Sequence, residues 1–363
     1  MADVRPELQI SERESRRISI LKVWLSVMVV FVHSWNEISV AGEAAAAADP
    51  AWLDTLKYTV SDVLSRSAIP AFFLLSAYFL YRKPFSWTEN IRRKAKSLLV
   101  PWFILNTFWI LVFFVGQHVP ALSAFFAREE TMISSWGFMD GLAAYFGSPA
   151  NVTPLLYPLW FIRDLFILNL LAKAYEWFAE KAGFWSLLVF IPAWLLVKPN
   201  HPFIMGIHGL TFWGIGCCLA KQRVTLSSLD RFRPAALAYP VLVAATVLLR
   251  HNGAWGVKIL YRLCLLAGVY FWFACTALVR EGRFRDRLLS AAKYSFCIYL
   301  FHEMALTIVR KLLAKVLPQT PAVSLAVYAC LPFAIVFGCV VFSRLLEKFL
   351  PKTYAVLSGG RTR

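Results

Sequence analysis

Charge is scarce in this 363-residue chain. Only 16% of its residues are Asp, Glu, Lys or Arg, while 59% are hydrophobic and 16% aromatic; soluble domains carry about 25% charged residues. With a mean hydropathy of +0.59, that shortage excludes an ordinary soluble domain and predicts a polytopic membrane protein. Ordered cysteine spacing is lacking too. Cys217, Cys218, Cys264, Cys275, Cys297, Cys330 and Cys339 form no CxxC and no Cys/His cluster with metal-ligand spacing. All seven fall in apolar runs and read as small apolar filler, so neither a disulfide framework nor a metal is expected. GxSxG, P-loop, HExxH and GxGxxG patterns are missing from any suitable context, which argues against nucleotide hydrolysis and zinc chemistry. No internal repeat or inverted pair of Gly/Pro-broken spans is visible, which disfavours a transporter fold. Acidic residues are the scarcer charge, 21 against 38 Lys and Arg, a net charge of +17. The basic residues lie in short stretches between apolar runs, a pattern of orientation and anionic-lipid contact and not of nucleic-acid binding.

What remains is apolar sequence long enough to cross a bilayer many times. A span needs about 20 mostly apolar residues, and ten runs qualify: 18–38, 60–81, 98–117, 156–175, 184–198, 204–220, 235–250, 256–279, 291–315 and 323–346. The fold class expected is therefore all-α, a polytopic helical bundle of about ten transmembrane helices. Lys and Arg enrich alternate connecting segments without losing phase, which predicts an even number of spans and both termini in the cytoplasm. The chain divides into a cytoplasmic N-terminal segment 1–17, a single membrane domain 18–350 and a cytoplasmic tail 351–363. AGEAAAAADP after the first run resembles a cleavage site, but the run is long and carries Lys22, His33, Asn36 and Glu37. It reads as an uncleaved first span. A long outward loop, about 118–155, has the size of a lid or binding element.

Four segments can carry chemistry. The first span reads ISILKVWLSVMVVFVHSW, with Lys22 and His33 eleven residues apart. That spacing puts both on one helix face about 16 Å apart along the axis. An ionisable residue in a span is costly and is a functional candidate, with His33 suited to take a proton from a hydroxyl during acyl transfer. Glu37, one turn on, can orient the ring. The other reading of His33 is a histidine hydrogen-bonded between helices. The second segment holds Arg92, Arg93, Lys94 and Lys96 ahead of LLVPW; such groups suit the phosphates of coenzyme A, or serve topology and lipid contact. In the third, Trp160 can stack on a sugar while Arg163 and Asp164 hydrogen-bond hydroxyls, or the pair can be a snorkelled anchor. The fourth, YSFCIYLFHE, ends in His302 and Glu303. Adjacent residues do not share a helix face, so these two are expected to serve different neighbours.

In order along the chain, LKVWLSVMVVFVHSWN, IPAFFLLSAYFLY, KAKSLLVPWF, LWFIRDLFIL and SFCIYLFHE resemble membrane-bound acyltransferase family 3 over roughly residues 16–305. The resemblance implies ten core spans and transfer of an acyl group, usually acetyl, from cytoplasmic acetyl-CoA to hydroxyls of surface glycans. It places the family's first-span histidine on His33. The basic residue eleven positions earlier, usually arginine, is Lys22. The R-x-x-R element falls on Arg93 and Lys96, and the glycine usual after Ser76 is Ala77. Each Arg-to-Lys departure keeps charge and loses the bidentate fork.

The function expected is an integral O-acyltransferase of a bacterial inner membrane, acting on a cell-surface or exopolysaccharide glycan, free or lipid-linked. Lys22, Arg92, Arg93 and Lys96 would hold acetyl-CoA. His33 would act as general base or acyl relay, oriented by Glu37 or Asp164, and Trp160, Arg163, His302 and Glu303 would meet the acceptor. The alternative is a glycan transporter gated by the intramembrane histidines. The partners expected are the glycan and membrane lipids, with no nucleic acid.

Overall fold

Ser11 opens the first helix. Its hydroxyl accepts the Glu14 amide at 3.2 Å, and Glu12 and Glu14 lie in the first turn against the positive end of the helix dipole. The apolar run then carries α1 from Glu12 to Ser34, 23 residues and about 34 Å. These features come from a computed structural model, which describes residues 9–35, 49–126, 132–147, 153–197 and 206–361. The remaining helices are α2 (Ala51–Tyr58), α3 (Ala68–Tyr81), α4 (Trp87–Lys94), α5 (Val100–His118), α6 (Pro120–Phe126), α7 (Phe138–Phe146), α8 (Trp160–Leu170), α9 (Ala172–Ala182), α10 (Ser186–Leu196), α11 (Ile207–Lys221), α12 (Ala238–Leu248), α13 (Trp255–Cys275), α14 (Arg283–Ala292), α15 (Ser295–Val316), α16 (Pro321–Phe349) and α17 (Pro351–Leu357). Among the described residues there is no strand.

Among the described residues seven stretches are long and apolar enough to cross a membrane: Glu12–Ser34, Ala51–Tyr81, Trp87–His118, Ala172–Leu196, Leu226–Leu248, Trp255–Leu278 and Pro321–Phe349. Outward-facing side chains such as Phe103, Phe108, Leu111 and Val115 on α5 are exposed, as lipid contact requires. The protein is an integral membrane protein. Three of the ten expected runs behave differently. Run 156–175 breaks at Leu171 into α8 and α9, of 11 residues each, and α9 continues through a turn at Gly183 into α10. Helix α11, within 204–220, has only 15 residues. Helix α15 has 22 residues but carries Glu303, Arg310, Lys311 and Lys315. The loop expected at 118–155 contains α6 and α7, and α7 folds back on α5 through Trp102, Phe103, Tyr145 and Phe146. Its residues 127–131 and 148–152 lie outside the described ones, as does Glu37.

Polar bonds fix α1 near its first turns, and this sets where its far end points. Buried Arg17 donates to Thr276 Oγ1 at 3.0 Å, Asp230 Oδ2 at 2.7 Å and the Phe273 carbonyl at 3.1 Å. Buried Glu14 accepts from the Leu226 amide at 3.0 Å and Ser227 Oγ at 2.9 Å. All seven cysteines are free thiols.

Helices α3 and α11 pack closely because Gly216 has no side chain. A Cβ there would stand 2.2 Å from the Leu74 carbonyl oxygen and 3.0 Å from Ala77 Cβ. Both are fixed parts of a fully helical neighbour, so the helices would have to separate. Gly216→Val is therefore expected to lower the stability of the purified protein by at least ~1–3 kcal/mol, read as a fall in thermal unfolding temperature. An unchanged Tm would show that this helix contact is not tight.

Candidate active site

His33 closes α1, half-buried, where three elements meet. Tyr157 comes from a 3₁₀ turn, Tyr157–Leu159, that leads into α8. The Leu159 amide closes the turn on the Leu156 carbonyl at 3.0 Å. Tyr299 of α15 donates its hydroxyl to the Pro158 carbonyl, pinning the turn to α15. The Tyr157 hydroxyl thereby reaches His33 Nδ1 in a short hydrogen bond. It also donates to Glu303 Oε2 at 3.3 Å, and Glu303 Oε1 accepts from Thr307 Oγ1 at 3.0 Å. Arg310 donates to the His33 carbonyl at 3.0 Å, holding the last turn of α1. The ring of His302, fully buried, stacks on that of His33 with centroids 5.3 Å apart and planes at 24°.

One consistent set of hydrogens satisfies these bonds. A phenol has one hydrogen. With that hydrogen given to Glu303, His33 Nδ1 must carry its own and donate it to the phenol oxygen, which leaves Nε2 as a free lone pair. His302 Nδ1 donates to the carbonyls of Tyr299, at 2.7 Å, and Ile298, at 3.1 Å. Its Nε2 is therefore also a bare lone pair, buried and without a partner among the described residues. The set Glu303–Tyr157–His33 has the logic of an acid that fixes a base through an intermediate group. Buried next to it, His302 offers an acceptor for a hydroxyl.

One ligand atom each from His33, His302 and Glu303 lies within 4.8 Å of the others, close enough for a cation. However, Thr307 and Tyr157 already engage both Glu303 oxygens and His33 Nδ1, and this is the donor set of a proton relay. Acyl transfer is accordingly expected to survive excess EDTA. Activity lost on chelation and restored by zinc would instead make the cluster a metal centre.

The structure distributes the other sequence-derived candidates between two places. His302 and Glu303, expected to serve different neighbours, converge on one cluster: their side chains, about 100° apart on α15, straddle the His33–Tyr157 pair. Asp164 is buried and committed to Arg163 at 2.9 Å and to the Gly206 amide at 3.4 Å; among the described residues it makes no bond to His33. Arg163 also donates to the Phe146 carbonyl, tying α8 to α7. Trp160 packs half-buried against Phe73 and Phe161. Eleven residues before His33, in the middle of α1, Lys22 lies half-buried over the Phe79 ring at 5.1 Å. Arg92 and Lys96 are exposed, and Arg93 donates to Asn90 at 3.1 Å. Of that basic run, Lys94 is the half-buried member.

Sequence reasoning missed Tyr157 and Arg310. A signal existed for Arg310: it lies seven residues after Glu303 on the same helix face, a charge inside an otherwise apolar run. Tyr157 had none, because it reaches His33 from 124 residues away.

Apolar helices of membrane-spanning length thus enclose a hydrogen-bonded cluster of His33, Tyr157, His302 and Glu303. The chain belongs to acyltransferase family 3, whose model, described as an acyltransferase domain, matches residues 16–344. It is similar to the succinoglycan biosynthesis protein ExoH of Rhizobium meliloti (strain 1021), 24% identical over 365 residues that cover 96% of this chain and 93% of the relative. No solved structure matches it.

Proposed function

We propose that this acyltransferase sits in a bacterial inner membrane and moves an acyl group, acetyl or a close analogue, from cytoplasmic acetyl-CoA to a hydroxyl of a surface or exopolysaccharide glycan. The observation that carries the proposal is the half-buried Glu303–Tyr157–His33 hydrogen-bond chain, which with Nδ1 protonated leaves His33 Nε2 a lone pair. Likeness to a succinoglycan biosynthesis protein supports an exopolysaccharide acceptor. Basic residues in alternate connecting segments support a cytoplasmic Lys22 end.

In this reading the coenzyme A phosphates rest beside Lys22 and the pantetheine arm lies along the half of α1 that leads to His33. That brings the thioester about 16 Å along the axis to His33, a length an extended arm matches. The acceptor hydroxyl donates to an imidazole lone pair, with His302 Nε2 helping to hold it. As the hydroxyl oxygen attacks the thioester carbonyl, its proton passes to His33 Nε2, and Glu303 stabilises the imidazolium through Tyr157. Collapse breaks the C–S bond; the ester remains on the glycan, and the thiolate leaves with the proton from His33. In the relay form, His33 Nε2 attacks the thioester carbonyl and the C–S bond breaks to release the thiolate; the acceptor hydroxyl then attacks the acyl-imidazole, giving its proton to His302 Nε2, and the C–N bond breaks to restore His33.

The test is the product. Cells expressing the chain beside its glycan are expected to gain base-labile esters on that glycan, seen by proton NMR before and after mild alkali. Glycan with the same ester content with and without the chain would overturn the proposal.

A further inference from the structure

Lys22 and Lys94, both half-buried, share a third positive neighbour that is remote in sequence. Arg361 lies within electrostatic reach of each. Among the described residues no carboxylate pairs with any of the three. Three such cations gathered without a counter-charge repel one another in a setting that screens poorly, and an anion of high charge resolves that.

The segment carrying Arg361 is built to hold it there. Helix α17 docks through fully buried Tyr354, whose ring meets Tyr294 edge to face at 6.3 Å. It ends with the Gly360 amide on the Ala355 carbonyl at 2.8 Å and the Gly359 amide on that of Val356 at 3.1 Å. Gly359 and Gly360 then turn through φ of 63° and 77°, left-handed values that favour glycine. A Cβ on Gly359 would stand 2.3 Å from the Ser97 carbonyl oxygen, so the turn sits directly against the π-helical segment Ala95–Leu99 that follows Lys94. The turn delivers the Arg361 guanidinium over the Phe296 ring, its Cζ 3.8 Å from the centroid. Among the described residues its guanidinium bonds only through Nη1, to the Ser358 carbonyl at 2.9 Å. Burial lowers the Arg361 pKa to about 10, so it is still a cation at neutral pH. A stacked guanidinium keeps its edge free, and that edge offers the fork that lysines lack.

We propose that Arg361 is a donor-binding residue: with Lys22 and Lys94 it holds a phosphate of the coenzyme A thioester beside the middle of α1, three helical turns from His33. The inference rests on the coenzyme A reading above and adds a residue from outside the segment that the family model matches. Phosphate of a lipid headgroup shares the same chemistry, and the experiment separates the two.

Full-length protein in neutral phosphatidylcholine nanodiscs is titrated with coenzyme A and with its 3′-dephospho form, as wild type, Arg361→Gln and Arg361→Lys, with Tm recorded for each. Losing a charge-assisted phosphate contact is expected to weaken coenzyme A binding about tenfold in Arg361→Gln, with a smaller loss in Arg361→Lys and little change in Tm. If the 3′-phosphate is the group held, wild type alone discriminates between the two ligands. Should Arg361→Gln unfold, Arg361→Lys decides, and wild-type affinity there contradicts the proposal. A lower Tm with unchanged affinity makes Arg361 structural and overturns it. Loss of retained phosphatidylglycerol, in nanodiscs containing it, with coenzyme A binding intact assigns the charge to lipid and also overturns it. Wild type that binds no coenzyme A at all sinks the donor reading itself, a result distinct from failure of Arg361 alone.

Discussion

His33→Gln lowers kcat for acyl transfer by about 10³-fold, within the span ascribed to a positioned general base, and leaves the KM for the thioester nearly unchanged. Glutamine retains the size and a polar end but has no lone pair basic enough to take a proton near neutral pH. The split between kcat and KM follows from distance, since the basic groups at Lys22 lie eleven residues away from the reacting end. Binding of the donor handle is then common to ground state and transition state, while the base acts in the transition state alone. Because Arg310 holds α1 through the His33 backbone carbonyl and not its ring, the substitution leaves that anchor in place. Single-turnover measurements at saturating donor check the prediction. A variant with near wild-type turnover would remove His33 from the chemistry.

Glu303→Gln gives the second large effect, a fall in kcat on the order of 10²-fold, through the direction of a hydrogen bond. With the Tyr157 hydrogen given to Glu303, the His33 hydrogen is given to Tyr157, the set that satisfies both contacts. A glutamine amide can donate to the phenol oxygen, which turns the phenol proton toward His33 Nδ1. The imidazole hydrogen then moves to Nε2, and the lone pair needed by the acceptor hydroxyl is gone. Tyr157→Phe breaks the same chain one step later. The double variant is therefore expected to lose little more than either single one, since the groups act as a unit. Additive losses would mean that Glu303 and Tyr157 act separately; full activity in Tyr157→Phe would mean that neither supports the base.

Much of this site was legible because membranes make ionisable residues expensive. His33, His302 and Glu303 stood out in apolar runs for that reason, and the structure gathers all three. The helix period placed Lys22 in line with His33. What could not be read depended on packing. Tyr157 is an aromatic residue among many until a turn and the Tyr299–Pro158 bond aim it. Asp164 looked free to orient His33, yet its adjacent Arg163 and the Gly206 amide take its oxygens. Arg361 follows a short helix in a polar segment, and only the left-handed Gly359–Gly360 turn brings it to Lys22 and Lys94. Helix boundaries inside an apolar run depend on packing too. Hydropathy sees apolar content, so it joined α8 to the start of α9 across Leu171, where the helix breaks.

The most direct measurement is acceptor-dependent release of free thiol from acetyl-CoA by inside-out membrane vesicles carrying wild type or His33→Ala, with glycan acceptor supplied. Thiol release by wild type, matched by ester on the glycan and lost in His33→Ala, is the result predicted here. Equal release by both proteins would contradict the role of His33. Glycan crossing the membrane with no thioester consumed, from either acetyl or succinyl donors, would contradict acyl transfer as the function and leave a transporter in its place.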